Sequence, residues 1–324
     1  LARQWDLPVW HLEDGLLRSV AKGREHPPLA LLVDELGVHF DATAPSRIEQ
    51  LIAAPITVTE ANRARALQRL WCEQRLSKVN PPREAEAPQE SYVLVVDQSA
   101  GDRSIALGLA DASCFQRMLK VALQDHPDCT VVVKVHPDVI SGRSRGHFTA
   151  EDLAHPRVRL SADGGHPARL LERARAVYGV TSQMGFEALL WGRPVHCFGM
   201  PFYGGWGLTH DQCDAPARRR QGASLEALVH AVLVGACRCI DPQRHQPCRI
   251  ETLMGAIGLQ RRLQAQQPRR CVAFGFTPWK QRNLRRFLAG SQLRFRAPWR
   301  RIPQGVDAVA VSYTHLTLPT ISCV

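Results

Sequence analysis

The sequence predicts an α/β protein built on a doubly wound parallel sheet, and three observations predict it. Apolar, β-branched runs at 92–96, 130–135, 176–180 and 194–198 alternate with helical patterns at 113–124, 167–175, 185–191 and 224–233, the rhythm of successive β-α-β units. Each run closes on polar or glycine-rich residues: Asp97-Gln98-Ser99, His136-Pro137-Asp138, Thr181-Ser182 and the loop 199–209. Ligands of such sheets sit beyond the carboxyl ends of the strands, so these residues fall where a site belongs. The third observation is the turn after 176–180. Ser182 stands as N-cap to a run of helix formers that Gly192 stops. Free N–H groups and the positive end of the helix dipole converge there, which suits an anion; an ordinary capped helix is the alternative reading.

Ahead of this lobe, 9–12 reads as a strand closing on Glu13, Asp14 and Gly15, either a site element or a cap for the next turn. Runs 29–33 and 37–40 read as further strands, the second leaving through Asp41. Pro45-Ser46 opens a helix to about Ala53. Thr57 and Glu60 then match a capping box, and the helix they open is expected to continue to Lys78, before Asn80-Pro81-Pro82. The proline-rich, polar stretch 81–91 is expected to link two lobes.

With 324 residues, 45% hydrophobic and 22% charged, the chain is globular and long enough for two domains. No apolar run approaches the roughly 20 residues that span a bilayer. Ten cysteines in a chain without a secretory pattern point to reduced thiols in a cytosol. Cys237, Cys239 and Cys248 with His245 form the tightest group, at a spacing that is not a standard zinc pattern, so no metal is expected. The net charge of +11 is carried by 261–301, which has 12 Lys or Arg and no Asp or Glu. With Trp279, Phe287, Phe295 and Trp299, that segment suits an anionic membrane face or nucleic acid, or is a solvated basic face. Residues 312–324 break off the strand-like run 306–311, resemble a translated sequencing adapter and are set aside from the fold.

Asp97 is the carboxylate that immediately closes a strand in this lobe, a candidate nucleophile or base. Lys134 and His136 alternate with apolar residues at one strand end, on a face expected to reach the anion at Ser182. His136 can donate a hydrogen bond to a phosphate or supply the proton a leaving phosphate needs. Glu187, one turn into the helix, is a candidate acceptor for ribose hydroxyls or a carboxylate favouring the helix dipole. The chain has no D-x-D pair, no Walker lysine loop and no G-x-G-x-x-G after a strand, so neither a metal-dependent nor a dinucleotide-dependent mechanism is expected.

The segments LEDGLLRS, PPLALLVD, GVHFDATAPSRIE, VLVVDQS, VKVHPDV, VTSQMGFEALLWGRPVHCFG and PFYGGWGLT, in this order, resemble the bacterial capsule polysaccharide β-Kdo transferases over about residues 5–255. The resemblance implies a GT-B-like fold of two Rossmann-type lobes with parallel sheets. It also implies that CMP-Kdo is the donor substrate, and that the acceptor is a lysophosphatidylglycerol-based glycolipid at the cytoplasmic face of the inner membrane. The VVDQS form resembles the first of the family's two tandem modules, and 275–290 with 306–311 resemble the opening of the second. The layout implied is 1–80 as the remainder of an incomplete acceptor lobe, 81–91 as linker, 92–265 as the CMP-sugar lobe and 266–311 as the start of a second module. By the same resemblance Asp97 is the nucleophile of a retaining double displacement. Glu13, with Asp14 beside it, is an acid/base or acceptor-site group across the cleft. His136 contacts the CMP phosphate, and Ser182 and Glu187 hold phosphate and ribose. Gln98, Lys134, Pro137, Thr181, Gln183 and Gly185 are expected around the same donor. Departures from the family pattern fall in the first lobe: Leu16, Ala21-Lys22-Gly23, Ala30 and His39-Phe40.

Two other readings stand beside this one. A nucleotide-sugar epimerase of the same two-lobed fold needs no acceptor. A basic membrane- or nucleic-acid-binding protein would work through 261–301, and its binding to nucleic acid would weaken steeply with salt. On the transferase reading no nucleic acid is expected, and the basic segment is a peripheral contact with the membrane.

Overall fold

The computed structural model describes residues 7–21, 23, 26–297 and 300–312. Of the residues singled out above, Lys22, Trp299 and the tail 313–324 lie outside the described residues. The chain divides into two compact units, Leu1–Gly258 and Leu259–Val324.

The first unit begins with strands β1 (His11–Asp14) and β2 (Ala30–Asp34), paired antiparallel. Helix α1 (Arg47–Ala53) starts at Ser46, whose side chain accepts from Glu49 N while Glu49 reaches back to the cap, and α2 (Val58–Glu73) starts at the Thr57–Glu60 capping box. Two expectations fail here. No strand forms at 37–40, because the Asp34 carboxylate gathers the N–H groups of Leu36, Gly37, Arg47 and Ile48 and folds the segment into turns at the head of α1. Helix α2 stops at Glu73, not Lys78: Arg75 takes a positive φ of 52° and turns its guanidinium to Glu84 and Glu172. The expected linker is packed, with Ala85 fully buried and its N–H donating to His166 O.

Then come β3 (Tyr92–Val96), the short α3 (Arg103–Leu107), α4 (Ser113–Asp125), β4 (Thr130–Lys134), α5 (Pro137–Ile140), α6 (Ala150–Leu153) and β5 (Val158–Ser161). They are followed by α7 (Ala168–Arg173), β6 (Val177–Gly179), α8 (Gln183–Leu190), β7 (Val195–Cys197) and the two-residue β8 (His210–Asp211). The six strands form one parallel sheet in the order β5-β4-β3-β6-β7-β8. The order grows outward from β3 in one direction and from β6 in the other, so the topological switch point lies between β3 and β6, where the crossovers part and a crevice opens. Val93, Val95, Val131 and Val133 pack with Phe115, Met118 and Leu119 of α4 on one face, while Leu94, Val96 and Val132 pack with Leu170 and Leu171 of α7 on the other.

The chain then returns to the first lobe through α9 (Leu225–His230), a π-helical turn (Ala231–Gly235), β9 (Cys237–Ile240) and β10 (Pro247–Cys248), and enters α10 (Ile250–Ala265). Strand β9 pairs with β2 and β10, giving the order β1-β2-β9-β10 with every pairing antiparallel. A parallel sheet was expected in this lobe; β1 and β9 instead both run opposite to β2. The two lobes share one apolar core, in which Leu16, Ile48, Leu67 and Trp71 join Phe186, Phe202 and Tyr203. A buried ionic cluster adds to it: Glu49 accepts from Arg218 Nε at 2.7 Å and from the fully buried Arg219 Nε at 2.6 Å.

The second unit holds β11 (Arg270–Phe274), α11 (Pro278–Phe287), β12 (Gln292–Arg296) and β13 (Ala308–Val311), with the strands parallel in the order β12-β11-β13. This is a β-α-β start in which α11 buries none of its residues and leaves Trp279 and Phe287 exposed. Among the described residues no helix is long and apolar enough to cross a membrane.

Candidate active site

The ends of β3 and β6 flank the switch point, and side chains knit them together. Gln98 Nε2 donates to Thr181 Oγ1 at 3.0 Å, Thr181 N donates to Gln98 Oε1 at 2.9 Å, and Ser104 Oγ lies 3.1 Å from Thr181 Oγ1. Gln98 and Thr181 therefore spend their polar atoms on each other and fix the spacing of the two strand ends. Asp97 stands beside them, 5% exposed. Its Oδ1 accepts from Gln98 N at 2.9 Å and from His147 N at 3.1 Å, whereas Oδ2 takes no hydrogen bond. Burial pushes its pKa up, and the two backbone N–H groups oppose that shift by favouring the carboxylate.

At the neighbouring strand end His136 Nδ1 accepts from Asp138 N at 3.2 Å and lies 3.1 Å from Ser99 Oγ. An accepting Nδ1 assigns the proton of the neutral ring to Nε2. Pro137 opens α5 just after it. Lys134 departs from expectation in direction. It follows Val132 on the α7 face of the sheet, opposite to Asp97, and its Nζ faces Asp163 Oδ1 at 3.8 Å; burial pushes its pKa down.

The turn at β6 forms as the sequence suggests. Ser182 caps α8, its side chain accepting from Met184 N at 3.3 Å. The rest of the helix start is occupied by packing. A Cβ at Gly185 would fall 2.1 Å from Tyr203 Oη, and that hydroxyl donates to Ser182 O at 2.5 Å. Gln183 Nε2 donates to Leu16 O at 2.7 Å and to Glu187 Oε1 at 3.1 Å, and Glu187 Oε1 also accepts from Lys78 N at 3.1 Å. Glu187 is 1% exposed, its Oε2 has no hydrogen-bond partner, and burial raises its pKa to about 7. The structure thus places Gln183 and Glu187 against the first lobe.

The two carboxylates of β1 part company because neighbouring residues of a strand point to opposite faces. Asp14 accepts from Arg18 Nε at 2.7 Å, a local ion pair. Glu13 instead lines a small recess with His11, Asp34, Val38, His39 and Ile48, and among the described residues its carboxylate makes no hydrogen bond. Burial, reinforced by Lys78, holds the His39 pKa down to about 3, so the ring is neutral. Asp34 is consumed by the four N–H groups at the head of α1 and is a structural carboxylate.

Asp97, Gln98, Thr181 and Ser182 are brought together at the switch point, with His136 held through Ser99 next to them; Glu13 lies in the first-lobe recess and Lys134 on the opposite sheet face. Sequence reasoning missed the segment 141–149 that covers Asp97, and with it Gly146 and His147. The GRSRGH run carried glycines and charge but no periodic signal. Cys237 and Cys239, 3.4 Å apart through their sulfurs, pack in the core, and Cys248 sits opposite Cys239 in register. Among the described residues no group of three His, Cys, Asp or Glu side chains is placed to hold a metal ion.

A doubly wound parallel lobe with polar residues at its switch point, joined to a smaller lobe that adds a carboxylate recess, is a GT-B-like architecture. Two solved structures share it. The Thermosulfurimonas dismutans KpsC beta Kdo 2,4 transferase matches with a TM-score of 0.74 and 38% identity, over 79% of this chain and 81% of that one. The KpsC beta Kdo 2,7 transferase of the same organism matches with a TM-score of 0.62 and 25% identity, over 80% and 82%. The chain belongs to the capsule polysaccharide biosynthesis protein family, whose model matches residues 1–70 and 61–241. It is 39% identical to the capsule polysaccharide modification protein LipA of Neisseria meningitidis serogroup B, over 74% of this chain and 36% of LipA. It is 36% identical to the lipopolysaccharide-processing protein LpsZ of Rhizobium meliloti, over 72% of this chain and 55% of LpsZ. The chain therefore spans about a third of one curated relative and just over half of the other.

Proposed function

We propose that this chain is a retaining β-Kdo transferase module that takes Kdo from CMP-Kdo and delivers it to a lysophosphatidylglycerol-linked glycolipid during capsule linker synthesis. The observation that carries the reading is Asp97: a buried carboxylate at the topological switch point, with one oxygen held by two N–H groups and the other uncommitted. Family membership and the likeness to two Kdo transferases support the sugar.

In the first step Asp97 Oδ2 forms a bond to the ketosidic carbon of Kdo, the bond from that carbon to the phosphate oxygen breaks, and CMP leaves with the electron pair. The CMP phosphate sits at the N-terminus of α8 beside Ser182, where the dipole favours charge, and His136 donates from Nε2 to the departing oxygen. In the second step an acceptor hydroxyl attacks the same carbon from the opposite face, Glu13 takes its proton, and Asp97 leaves as a carboxylate. Two inversions return the original configuration. Gln183 and Glu187 fix the start of α8 against the first lobe, and a ribose contact of Glu187 is tested by CMP titration of its glutamine variant. Both steps use side chains alone, in keeping with a sequence that has no D-x-D pair. The module works at the cytoplasmic face of the inner membrane, with the basic segment 261–301 against anionic lipid; the exposed Trp279 and Phe287 on a helix that also carries Arg282 and Arg286 support that contact.

Intact-mass spectrometry after incubation with CMP-Kdo and no acceptor tests the reading. The expected result is a gain of one Kdo on the wild-type chain that is absent from Asp97→Ala, while Asp97→Ala still binds CMP. An adduct that persists in Asp97→Ala refutes the nucleophile.

A further inference from the structure

The segment between α5 and α6 approaches Asp97 more closely than any side chain would allow. An ideal Cβ built on Gly146 falls 2.2 Å from Asp97 Oδ2 and 3.3 Å from its Cγ, with Val139 Cγ1 behind at 3.5 Å. Gly146 does not have the positive φ that marks Gly142 at 71°, so its backbone conformation does not demand glycine. The missing side chain is required by the carboxylate alone. The next residue supplies the second constraint, since His147 N donates to Asp97 Oδ1 at 3.1 Å.

Three contacts from two elements hold the approach. The His147 ring stacks on Phe115 of α4 at 3.8 Å with 4° between planes, Gln116 Nε2 donates to His147 O at 2.8 Å, and Ala100 N donates to Arg145 O at 2.7 Å. Ala100 follows Asp97 by three residues, so the segment is anchored both to the helix behind the carboxylate and to the turn that carries it. The carboxylate plane is therefore fixed: one oxygen is gripped by Gln98 N and His147 N, and the other lies against a bare α-carbon.

We infer that Gly146 and His147 are positioning residues that orient Asp97 so that Oδ2, and not Oδ1, attacks the sugar. The inference rests on the reading of Asp97 as nucleophile and adds which oxygen forms the bond to the ketosidic carbon as CMP departs with the electron pair. A methyl at Gly146 must turn the carboxylate, because Oδ2 and Cγ are both too near to stay. A reacting oxygen displaced by about 1 Å loses on the order of a hundredfold in rate.

The test is the rate of Kdo adduct formation from CMP-Kdo, followed by intact mass on the full chain with no acceptor, alongside CMP affinity and melting temperature. Gly146→Ala is expected to slow the adduct about a hundredfold while CMP affinity and melting temperature stay at wild-type values, and Ser144→Ala, in the same segment, is expected to react as wild type. His147→Pro removes the N–H and is expected to move the acid limb of the adduct rate to higher pH, because the carboxylate loses a donor that favours its charged form. His147→Phe keeps both the N–H and the stack and loses only the ring's charge interaction with Asp97, so it is expected to move the limb less than His147→Pro does. A wild-type adduct rate in Gly146→Ala overturns the role of Gly146, and so does a loss explained entirely by unfolding. An unmoved acid limb in His147→Pro overturns the role of His147. No adduct on the wild-type chain overturns the nucleophile reading and this inference with it, whereas an adduct that needs Asp97 but is indifferent to Gly146 and His147 overturns the inference alone.

Discussion

Glu187→Gln isolates one buried proton. Glu187 is 1% exposed, with Oε1 accepting from Lys78 N and Gln183 Nε2 and Oε2 without a partner, and burial raises its pKa from an ordinary 4.5 to about 7. Between those values the folded chain keeps a proton that the unfolded chain has released, so stability is fully present below pH 4.5 and is lost as pH rises through about 7. A shift of that size corresponds to about 3 kcal/mol. Glutamine keeps an acceptor for Lys78 N but sets an amide donor where Oε2 stood unpartnered, a penalty of about 1–3 kcal/mol that is the same at every pH. The informative quantity is therefore the slope. Urea midpoints measured from pH 4.5 to 8 should fall in the wild type, and the difference between variant and wild type should change by up to about 3 kcal/mol in favour of glutamine across that window. An unchanged difference across the window refutes the assignment of the proton to Glu187. CMP titration of the same variant separates its two roles: weakened binding supports ribose contact, and unchanged binding confines Glu187 to packing against Lys78.

Three further outcomes follow from the same geometry. Glu49→Ala leaves Arg219 buried beside Arg218 without its carboxylate and should destabilise by about 3–5 kcal/mol, whereas replacing Glu49 and Arg219 together by methionine should recover most of the loss in urea denaturation; equal losses would refute a buried-charge origin. Gly185→Ala should cost about 1–3 kcal/mol by overpacking, and Tyr203→Phe should relieve little of it because the ring carbons Cζ and Cε2 also lie within 2.5 and 2.7 Å of the added methyl. The rate of sugar adduct formation should fall as pH drops through the pKa of Asp97, with its midpoint above the ordinary aspartate value because burial raises that pKa; a midpoint at or below that value would refute the desolvated carboxylate.

The parts of the site that were legible in the sequence are those whose causes are local. The strands 92–96 and 130–134 announce themselves as continuous apolar runs because both of their faces are buried, and Ser182 announces a cap because a hydroxyl before helix formers has a partner two residues on. Asp97 and His136 were visible for the same reason, as polar residues ending apolar runs. Causes that arrive from a distance left no such mark. Strand β5 reads VRLS and exposes its two central residues, as an edge strand can, so no apolar run betrays it. The expected strand at 37–40 is overruled by Asp34, whose carboxylate draws in the N–H groups of Arg47 and Ile48 from more than a dozen residues away. The first-lobe sheet is antiparallel throughout, and one of its pairings, β9 on β2, joins residues as far apart in sequence as Ala30 and Cys239, with the whole larger lobe between them, which no local pattern could announce.

Gly146 is the clearest case at the site itself. Nothing in GRSRGH separates a glycine that turns the chain from one that yields space to a carboxylate, and Gly142 and Gly146 are alike in sequence. They differ in cause: Gly142 holds a φ of 71° with nothing near its absent Cβ, while Gly146 has no such φ and faces Asp97 Oδ2 at 2.2 Å. The same contrast separates Gly192, a helix stop with a φ of 65° and open space, from Gly185, whose bare α-carbon is where Tyr203 rests. Substitution distinguishes the two kinds by where the damage appears. Alanine at a turn glycine strains only the backbone it occupies. Alanine at Gly146 or Gly185 displaces another residue's functional atom, so its effect is read in the chemistry of Asp97 or in the packing of the α8 start.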